Sequence, residues 1–572
     1  MFRKNDEHKQ GCLFSSVSDL PKKQRERLEQ SWAATFYDKF FSRIDEAVFE
    51  VLYSEKDSRP NIPVNVLVSL EVLKSGFGWS DAELEEQMSF SLLTRYAVGY
   101  RDLSEGHFEL RSVYNFRRRL TEYMQATGIN LLEVAFEGIT DEQISVLKLK
   151  TGKLRMDSVQ IASNIRQMSR VQLLVEVLQR VWRMLSVADQ QREAEHFAAY
   201  IQGSSGQYVY HLEAGASQSH LADIGELMQR LVGELAPTYG QEAAYAVLCR
   251  VYYEHFVEVE QVVQPKAGTA LSAQSLQSPD DLEATYREKR GVGYQGYVTN
   301  VTETCDPDNG LQLIVKVQSA PNHTDDAALL KAAVPNLVSR TDVEDLYTDG
   351  GYNSPAVDKT LNQAHIEQFQ TAIRGTTAQS ERLRVSDFTF SRDELGLPQT
   401  VSCPQGQAVP VHDARTQGRF SAAFDASVCK DCPLFAQCPT QSRHNTPQRL
   451  LYFSQQQVNV AHRRENQRQA SASRRNLRSA VESTVRSLKH PFANAKLPVR
   501  GLVRVSMMMV ASAAMTNVRR IWRYQTQKMT GQTALRGAES TSNQTVSNRF
   551  CASLRPFFRW ITIPLHYQAV LG

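Results

Sequence analysis

The sequence predicts an α/β protein in which a mixed sheet with flanking helices follows an all-helical N-terminal domain. Three observations indicate this architecture. Apolar residues recur at three- and four-residue spacing between residues 20 and 135, which is typical of packed helices. From Leu147 the pattern changes to the short alternation LKLKTGKLRMDS, which is typical of a strand. Strand-like runs and helical runs follow in turn, and this order is typical of an α/β domain.

The N-terminal domain, residues 1–140, is predicted to be helical and is a candidate DNA-binding domain. Ser80-Asp81-Ala82-Glu83 and Ser104-Glu105-Gly106-His107 are expected to start helices, because serine is a favourable N-cap and acidic residues suit the first turn. The second of these helices is predicted to end in Phe116-Arg117-Arg118-Arg119-Leu120. Arg117, Arg118 and Arg119 either lie on DNA phosphates or face water on a packing domain, and both interpretations stay open.

The mixed sheet is predicted to begin within residues 141–375. Its first strand is expected to run out at Asp157, and a helical insertion, residues 166–285, follows. The strands Tyr294–Val301 and Leu311–Val317 are separated by the turn-rich run DPDNG, which predicts an antiparallel hairpin. A helix near residues 325–338 then leads to a strand over 343–348 that ends at Asp349, and residues 368–373 are one more candidate strand.

The rest of the chain is predicted to contain a small cysteine-rich module, residues 376–445, the helical remainder of the core, 446–530, and a basic tail, 531–572. A helical stretch over residues 455–490 carries Glu482, and a second covers 501–522. Its most apolar part, Val505–Met515, is much shorter than the roughly 20 residues of a membrane span, so it predicts a buried helix. The charged start MFRKNDEHKQ resembles neither a signal peptide nor a transit peptide, and the protein is expected in the cytoplasm, away from membranes.

Charge is distributed unevenly along the chain, although the formal net charge is only +3. Residues 441–572 contain 21 Lys or Arg against 3 Asp or Glu, whereas residues 1–440 contain 44 against 59. The basic residues are interleaved with the aromatic residues Trp522, Tyr524, Phe557 and Trp560, a pattern typical of nucleic-acid binding. The C-terminal region is therefore predicted to meet a polyanion, and a solvated basic helix face is the alternative.

Three acidic residues, Asp157, Asp349 and Glu482, form the candidate catalytic set. In the strand, strand, strand, helix, strand, helix order they can converge at one edge of the sheet. Converging carboxylates repel one another unless cations lie between them, and Mg²⁺ or Mn²⁺ prefers oxygen ligands. Two such ions about 3.5 to 4 Å apart can activate a water or a 3′-hydroxyl for displacement at phosphorus. The set predicts phosphodiester chemistry, and three unrelated acids are the alternative.

Four of the eight cysteines fall within the cysteine-rich module, at Cys403, Cys429, Cys432 and Cys438. Cys429 and Cys432 form a CxxC pair, and the four together are a candidate tetrahedral Zn²⁺ site. Zinc is favoured because a segment this polar is expected to have difficulty building its own core. A redox CxxC lacks its expected strand-helix setting, and unligated core cysteines remain an alternative. The low cysteine density overall is typical of a reducing cytoplasm.

Three stretches resemble bacterial insertion-sequence transposases of the DDE type. LRMDSVQIASNI around Asp157 is similar to the strand of the family's first aspartate, and LYTDGGYNSP around Asp349 is similar to that of the second. Arg478, Glu482 and Lys489 match the family's signature of arginine, three residues, glutamate, six residues and lysine. The signature usually begins with a tyrosine three residues before the arginine, where this chain has Arg475.

The resemblance implies an RNase H-like catalytic domain with Asp157, Asp349 and Glu482 as metal-binding catalytic residues. Arg478 and Lys489 are then expected to contact DNA near the transposon end. It also implies that the protein binds terminal inverted repeats, cleaves strands and transfers them to target DNA, as a homo-oligomer on paired ends. The alternatives are a repurposed DNA-binding protein without catalysis and a nuclease of the same fold.

Overall fold

The structure is a computed structural model that describes residues 2–541 except 11–14, 55–60, 107–108, 214–216, 290, 372–381, 417, 443–445, 473–476 and 493–495. The side chains of residues 470–472 and 529–541 are also outside the description. Arg475 and the aromatic residues Phe557 and Trp560 of the predicted basic tail therefore lie outside the described residues. Residues 1–524 form one compact unit, and in the second unit, residues 525–572, the described backbone is helical through Thr541.

The described residues form the following α-helices: α1 Lys22–Glu29, α2 Trp32–Lys39, α3 Val64–Phe77, α4 Asp81–Phe90, α5 Leu92–Ala97, α6 Leu110–Thr127, α7 Leu131–Leu147, α8 Arg170–Met184, α9 Val187–Phe197, α10 Ser205–Tyr210, α11 Ser217–Tyr239, α12 Ala243–His255, α13 Asp326–Arg340, α14 Pro355–Gln363, α15 Ala426–Lys430, α16 Gln455–Ala472, α17 Ser479–Lys489 and α18 Leu502–Thr541. None of them is long and apolar enough to cross a membrane.

The strands are β1 Lys153–Ala162, β2 Phe256–Val259, β3 Val262–Pro265, β4 Thr285–Lys289, β5 Val292–Thr304, β6 Ile314–Pro321, β7 Asp345–Thr348, β8 Glu367–Gln370, β9 Thr389–Arg392, β10 Pro398–Ser402, β11 Ala408–Asp413, β12 Arg419–Asp425, β13 Gln441–Ser442 and β14 Gln448–Ser454. Strands β1 and β4 to β8 form one six-stranded mixed sheet. β1 pairs antiparallel with β5 and parallel with β7, β8 continues parallel beyond β7, and β4 and β6 pair antiparallel with β5. The mixed α/β fold and the β5–β6 hairpin predicted from the sequence are confirmed.

The first strand extends further than the sequence predicted. β1 continues past Asp157 to Ala162, so the prediction that the strand runs out at Asp157 is wrong. The reason is the length of β5, which pairs with β1 from Leu154 through to Ala162. Asp157 lies instead beside the point where the parallel neighbour β7 ends, at Thr348.

Of the two helix starts predicted in the N-terminal region, the structure confirms one and contradicts the other. Ser80 and Glu83 form a capping box at the start of α4, as predicted. The start predicted at Ser104 is wrong, because α6 begins at Leu110 and the Ser104 hydroxyl donates to Asp102 in a turn (2.7 Å). The end predicted at Leu120 is also wrong, since α6 continues to Thr127 and stops at Gly128, whose φ of 74° lies in the left-handed region that favours glycine.

The helical N-terminal residues share one apolar core with the face of the mixed sheet and with the first part of α18. Val505, Val510 and Met515 of α18 are buried in this core, which confirms the buried helix predicted there. Helix α3 approaches α18 so closely that a Cβ at Gly76 would lie 2.3 Å from Met515 Cγ. This contact explains a glycine inside a helix.

The insertion between β1 and β4 has an apolar core of its own, built by α8, α11 and α12. It is helical as predicted as far as His255, but the prediction is wrong beyond that residue, where β2 and β3 form a two-stranded hairpin. The hairpin is held by one face only, because Phe256 and Val263 on that face are buried against α11.

The cysteine-rich module is a six-stranded antiparallel sheet, β9 to β14, rather than a small polar segment, and it extends past the predicted boundary at residue 445 because β14 continues to Ser454. Val401, Phe424, Leu451 and Phe453 are buried in its core, so the expectation that the module has difficulty forming one is wrong. Alternate residues of β12 and β14 are apolar and face the same side, which builds this core from short strands. The helical stretch predicted after it is divided into α16 and α17.

A buried acid joins the sheet to the last two helices. Glu303 of β5 is fully buried, and its carboxylate accepts from Arg155 Nε of β1 (2.6 Å) and from Arg520 Nη1 of α18 (2.7 Å). The Thr484 hydroxyl of α17 also donates to it (2.8 Å). We call these four residues the Glu303 cluster. A buried charge is tolerated only where it is paired and hydrogen-bonded, so the cluster fixes these elements together.

Replacing Glu303 by alanine is expected to lower the free energy of unfolding by about 3–5 kcal/mol, because it leaves two guanidinium groups without their buried counter-charge. Urea unfolding followed by tryptophan fluorescence measures this loss. The matched control is Glu86→Ala on the exposed face of α4, for which we expect a change within about 0.5 kcal/mol. Equal stability of the two variants would show that the Glu303 cluster does not hold the fold.

Candidate active site

Asp157 and Asp349 are brought together by the pairing of β1 with β7. Arg155 lies opposite Tyr347 in this parallel register, so two residues further along Asp157 and Asp349 occupy neighbouring positions. Asp349 follows the last residue of β7, and its Oδ1 accepts from the Gly351 N–H (2.7 Å). The glycine pair after Asp349 therefore forms a turn that the carboxylate itself stabilises.

Tyr352 forms the buried support behind the two aspartates. Its side chain is fully buried, its hydroxyl donates to Asn300 Oδ1 of β5 (2.7 Å), and its carbonyl accepts from Gln368 Nε2 of β8 (3.3 Å). Burial raises the pKa of Tyr352 well above its usual value, and the nearby Asp326 and Asp157 add to the rise. The tyrosine is therefore a neutral hydrogen-bond donor that anchors the turn after Asp349 to the sheet.

Glu482 and Arg478 come to the same place from α17, which packs against β1. Arg478 immediately precedes the helix, and its guanidinium joins two carboxylates: Nη2 lies 3.1 Å from Asp157 Oδ2 and Nη1 lies 3.6 Å from Glu482 Oε1. The Asp157 side chain is 13% exposed, whereas that of Glu482 is 66% exposed. The site thus has a buried carboxylate, a solvent-facing carboxylate and an arginine between them.

The electrostatics of Asp157 reflect this arrangement. Burial raises the pKa of its carboxyl group, Arg478 opposes the rise, and the neighbouring Asp349 adds to it. The direction is that expected when two carboxylates approach each other away from water. A cation close to this carboxyl group therefore stabilises its charged form.

The donor set suits a hard divalent cation in kind, because carboxylate oxygens are the preferred ligands of Mg²⁺ and Mn²⁺. Its arrangement in this conformation does not. Among the residues that the structure describes, no three His, Cys, Asp or Glu side chains are grouped so as to hold a metal ion. The guanidinium of Arg478 lies between Asp157 and Glu482 instead.

The other basic residues singled out from the sequence are not brought to one surface. Lys489 donates from Nζ to the Gln160 carbonyl of β1 (2.7 Å), and burial lowers its pKa. Arg117 is paired with Glu71 (2.6 Å) and Asp81 (2.8 Å), Arg118 is exposed and paired with Glu122 (3.0 Å), and the guanidinium of Arg119 lies 5.0 Å from the ring centroid of Tyr53. The three consecutive arginines therefore have three different environments.

The four cysteines of the module line one small cavity of about 30 Å³. Cys403 comes from the turn after β10, Cys429 from α15, and Cys432 and Cys438 from the loops that follow. Burial raises the pKa of Cys429, and the neighbouring Cys438, Cys403 and Cys432 add to the rise against the opposing effect of Arg449. All four carry free thiols, and the Gln407 N–H donates to Cys403 Sγ (3.3 Å).

Sequence reasoning missed the residues that support the site. Glu303, Arg155 and Tyr352 were not among its candidates. One usable signal is the position of Arg155, which precedes Asp157 by two residues and so shares its face of β1. No comparable signal identifies Glu303, because its partners lie up to 217 residues away in the chain.

Two family models match parts of the chain. A transposase DDE domain matches residues 402–522, and a transposase domain (DUF772) matches residues 24–119. No curated protein and no solved structure matches. The first match contains Arg478, Glu482 and Lys489 together with the four cysteines, and the second contains Arg117, Arg118 and Arg119. The two matches confirm the resemblance to insertion-sequence transposases of the DDE type.

Replacing Tyr352 by phenylalanine is expected to destabilise the protein by about 1–3 kcal/mol, because it leaves the buried Asn300 oxygen without its donor. The measurement is the midpoint of urea unfolding. Tyr452→Phe is the matched control, since that side chain is 49% exposed and its hydroxyl can bond to water. An unchanged midpoint in Tyr352→Phe would contradict the supporting role of the Tyr352–Asn300 bond.

Proposed function

We propose that this chain, which matches two transposase family models, is an insertion-sequence transposase of the DDE type. It would bind the terminal inverted repeats of its element and catalyse metal-dependent strand cleavage and strand transfer. The observation that supports the proposal is that Asp157 and Asp349 lie on neighbouring strands, while Arg478 joins Asp157 to Glu482 of α17. The proposed partners are the element's ends and the target DNA, and the proposed place of action is the cytoplasm.

The proposed chemistry assigns one task to each group. Asp157, Asp349 and Glu482 would hold Mg²⁺ or Mn²⁺, which when bound supplies charge stabilisation at phosphorus and a more acidic nucleophile. Asp157 is the most shielded of the three ligands, and Tyr352 and the Glu303 cluster hold the backbone that carries them. Arg478 and Lys489 are proposed to contact DNA near the transposon end.

Two alternatives have the same fold. A nuclease would cleave the strand without joining it to a target, and a repurposed DNA-binding protein would bind without cleavage. Transposases of this type act on paired ends, so we propose a homo-oligomer as the active form. DNA ends joined to a target would exclude the nuclease, which only cleaves. Cleaved DNA ends would exclude the DNA-binding protein, which does not cleave.

Asp157→Asn, Asp349→Asn and Glu482→Gln are each expected to reduce cleavage and strand transfer at least about 100-fold while DNA binding persists, because a loss of several kcal/mol of charge stabilisation has this effect on rate. The assay uses a labelled DNA end of the element with Mn²⁺, and a gel shift measures binding.

The matched control for this series is Glu344→Gln, an exposed acid that directly precedes β7. We expect it to cleave and transfer strands like the wild type. Full activity in any one of the three variants would remove that residue from the catalytic set. Loss of activity in Glu344→Gln would show that the assay responds to general damage to the fold rather than to loss of a catalytic carboxylate.

We also propose that Cys403, Cys429, Cys432 and Cys438 bind a structural Zn²⁺ in their shared cavity. Four thiols from three segments suit tetrahedral coordination, and the N–H donated by Gln407 to Cys403 is favourable to a thiolate there. The cavity is small, and the thiols are not grouped for a metal in the present conformation, so binding would draw them together. The zinc would then link α15 to the turn after β10.

Purified protein is expected to contain about one zinc per chain by elemental analysis, and chelation is expected to lower its melting temperature. Cys432→Ser should lose both the zinc and the stabilisation, because only three of the four thiolate ligands remain. Cys249→Ser on α12, outside the module, is the control and should keep its zinc. Zinc-free protein with unchanged melting after chelation would contradict the proposal and leave the cysteines as core residues.

A further inference from the structure

The guanidinium of Arg478 bridges two carboxylates that belong to different elements, Asp157 of β1 and Glu482 of α17 (3.1 and 3.6 Å). Arg478 and Asp157 are both shielded, with side chains 15% and 13% exposed, so water and salt screen this pair much less than a surface pair. The contact brings one positive charge to a site where burial and Asp349 disfavour the negative charge of Asp157. Arg478 therefore serves as the counter-cation of the site in this conformation.

A divalent cation cannot bind between the same two carboxylates while the guanidinium remains. Mg²⁺ requires its oxygen ligands at about 2.0–2.1 Å, and the guanidinium of Arg478 occupies the space between the two carboxylates, 3.1 Å from Asp157 Oδ2 and 3.6 Å from Glu482 Oε1. The guanidinium and the metal ion also repel each other as like charges. One cation must leave before the other binds.

The backbone before Arg478 is held in place, so the side chain alone has to move. Arg155 Nη1 donates to the Leu477 carbonyl (2.8 Å), and Arg155 is itself fixed by Glu303. On the other side, Ser479 begins α17, which packs against β1. A rotation of the Arg478 side chain can therefore open the carboxylates without moving the helix.

A DNA phosphate is the partner that suits the released guanidinium. Arginine binds phosphate through two parallel hydrogen bonds, and a phosphodiester remains charged at every physiological pH. The site opens to solvent on the side of Glu482, whose side chain is 66% exposed, and Arg486 lies exposed one turn further along α17. A DNA backbone approaching this face meets both arginines.

We propose that Arg478 is an exchangeable counter-cation, which closes the site on Asp157 and Glu482 until a DNA phosphate takes over its guanidinium. Divalent metal then enters the carboxylates, so metal loading is coupled to DNA binding. The proposal rests on the proposed function, because it assumes that these carboxylates hold the metal. Its benefit is that the protein without DNA does not carry a loaded nuclease site.

The test measures Mn²⁺ binding to the full-length, metal-stripped protein by electron paramagnetic resonance of the free ion, with and without a duplex from the end of its element. Without DNA, Arg478→Gln is expected to bind Mn²⁺ about tenfold more tightly than the wild type, a typical magnitude for coupled sites. Adding DNA should tighten binding about tenfold more in the wild type than in Arg478→Gln.

Two further variants make the test specific. Arg183→Gln removes an exposed charge from α8 in the insertion, away from the proposed DNA face, and should bind Mn²⁺ like the wild type with and without DNA. Arg478→Lys keeps a positive charge and should bind Mn²⁺ as weakly as the wild type. If the melting temperature shows that Arg478→Gln folds poorly, the Mn²⁺ affinity of Arg478→Lys is the measurement that remains.

The outcomes separate this proposal from the function it rests on. Equal Mn²⁺ affinity of wild type and Arg478→Gln without DNA would overturn the exchange and leave the proposed function intact. If Asp157→Asn does not weaken Mn²⁺ binding with DNA present, the metal is held elsewhere, and the proposed function fails together with the exchange.

Discussion

The buried carboxylate of Glu303 is the constraint on which the candidate site depends. It has no access to water, and Arg155, Arg520 and Thr484 satisfy it from three different elements. A fully buried acid with a missing partner is costly, so the strand and the two helices must come together in one arrangement. Arg155 precedes the first candidate aspartate by two residues, and Thr484 follows the candidate glutamate by two, so the cluster sets the positions of both.

In the site next to this cluster, an ion pair rather than close packing holds the side chains in place. Asp157 and Asp349 approach each other on neighbouring strands, and Glu482 of α17 is joined to Asp157 through Arg478. Arg478 is the charge that holds the group together in this conformation. Under the exchange proposed for Arg478, one cation would replace another at this site without a rearrangement of its strands.

The sequence predicted much of this arrangement, and it failed where distant parts of the chain meet. The order of strands and helices and the carboxylate at the end of β7 follow from local alternation and turn residues. The continuation of β1 past Asp157 does not, because the 13-residue partner β5 determines it. The sheet of the cysteine-rich module was missed since its strands are short and its turns polar. The contact of Arg478 with Asp157 spans 321 residues, and no local pattern indicates it.

A structure of the protein with a duplex from the end of its element and Mn²⁺, in which anomalous scattering locates the metal, tests the candidate site most directly. We expect Mn²⁺ on Asp157, Asp349 and Glu482, with Arg478 turned away onto a DNA phosphate. Manganese bound to other acidic residues, while Arg478 still bridges Asp157 and Glu482, would contradict it.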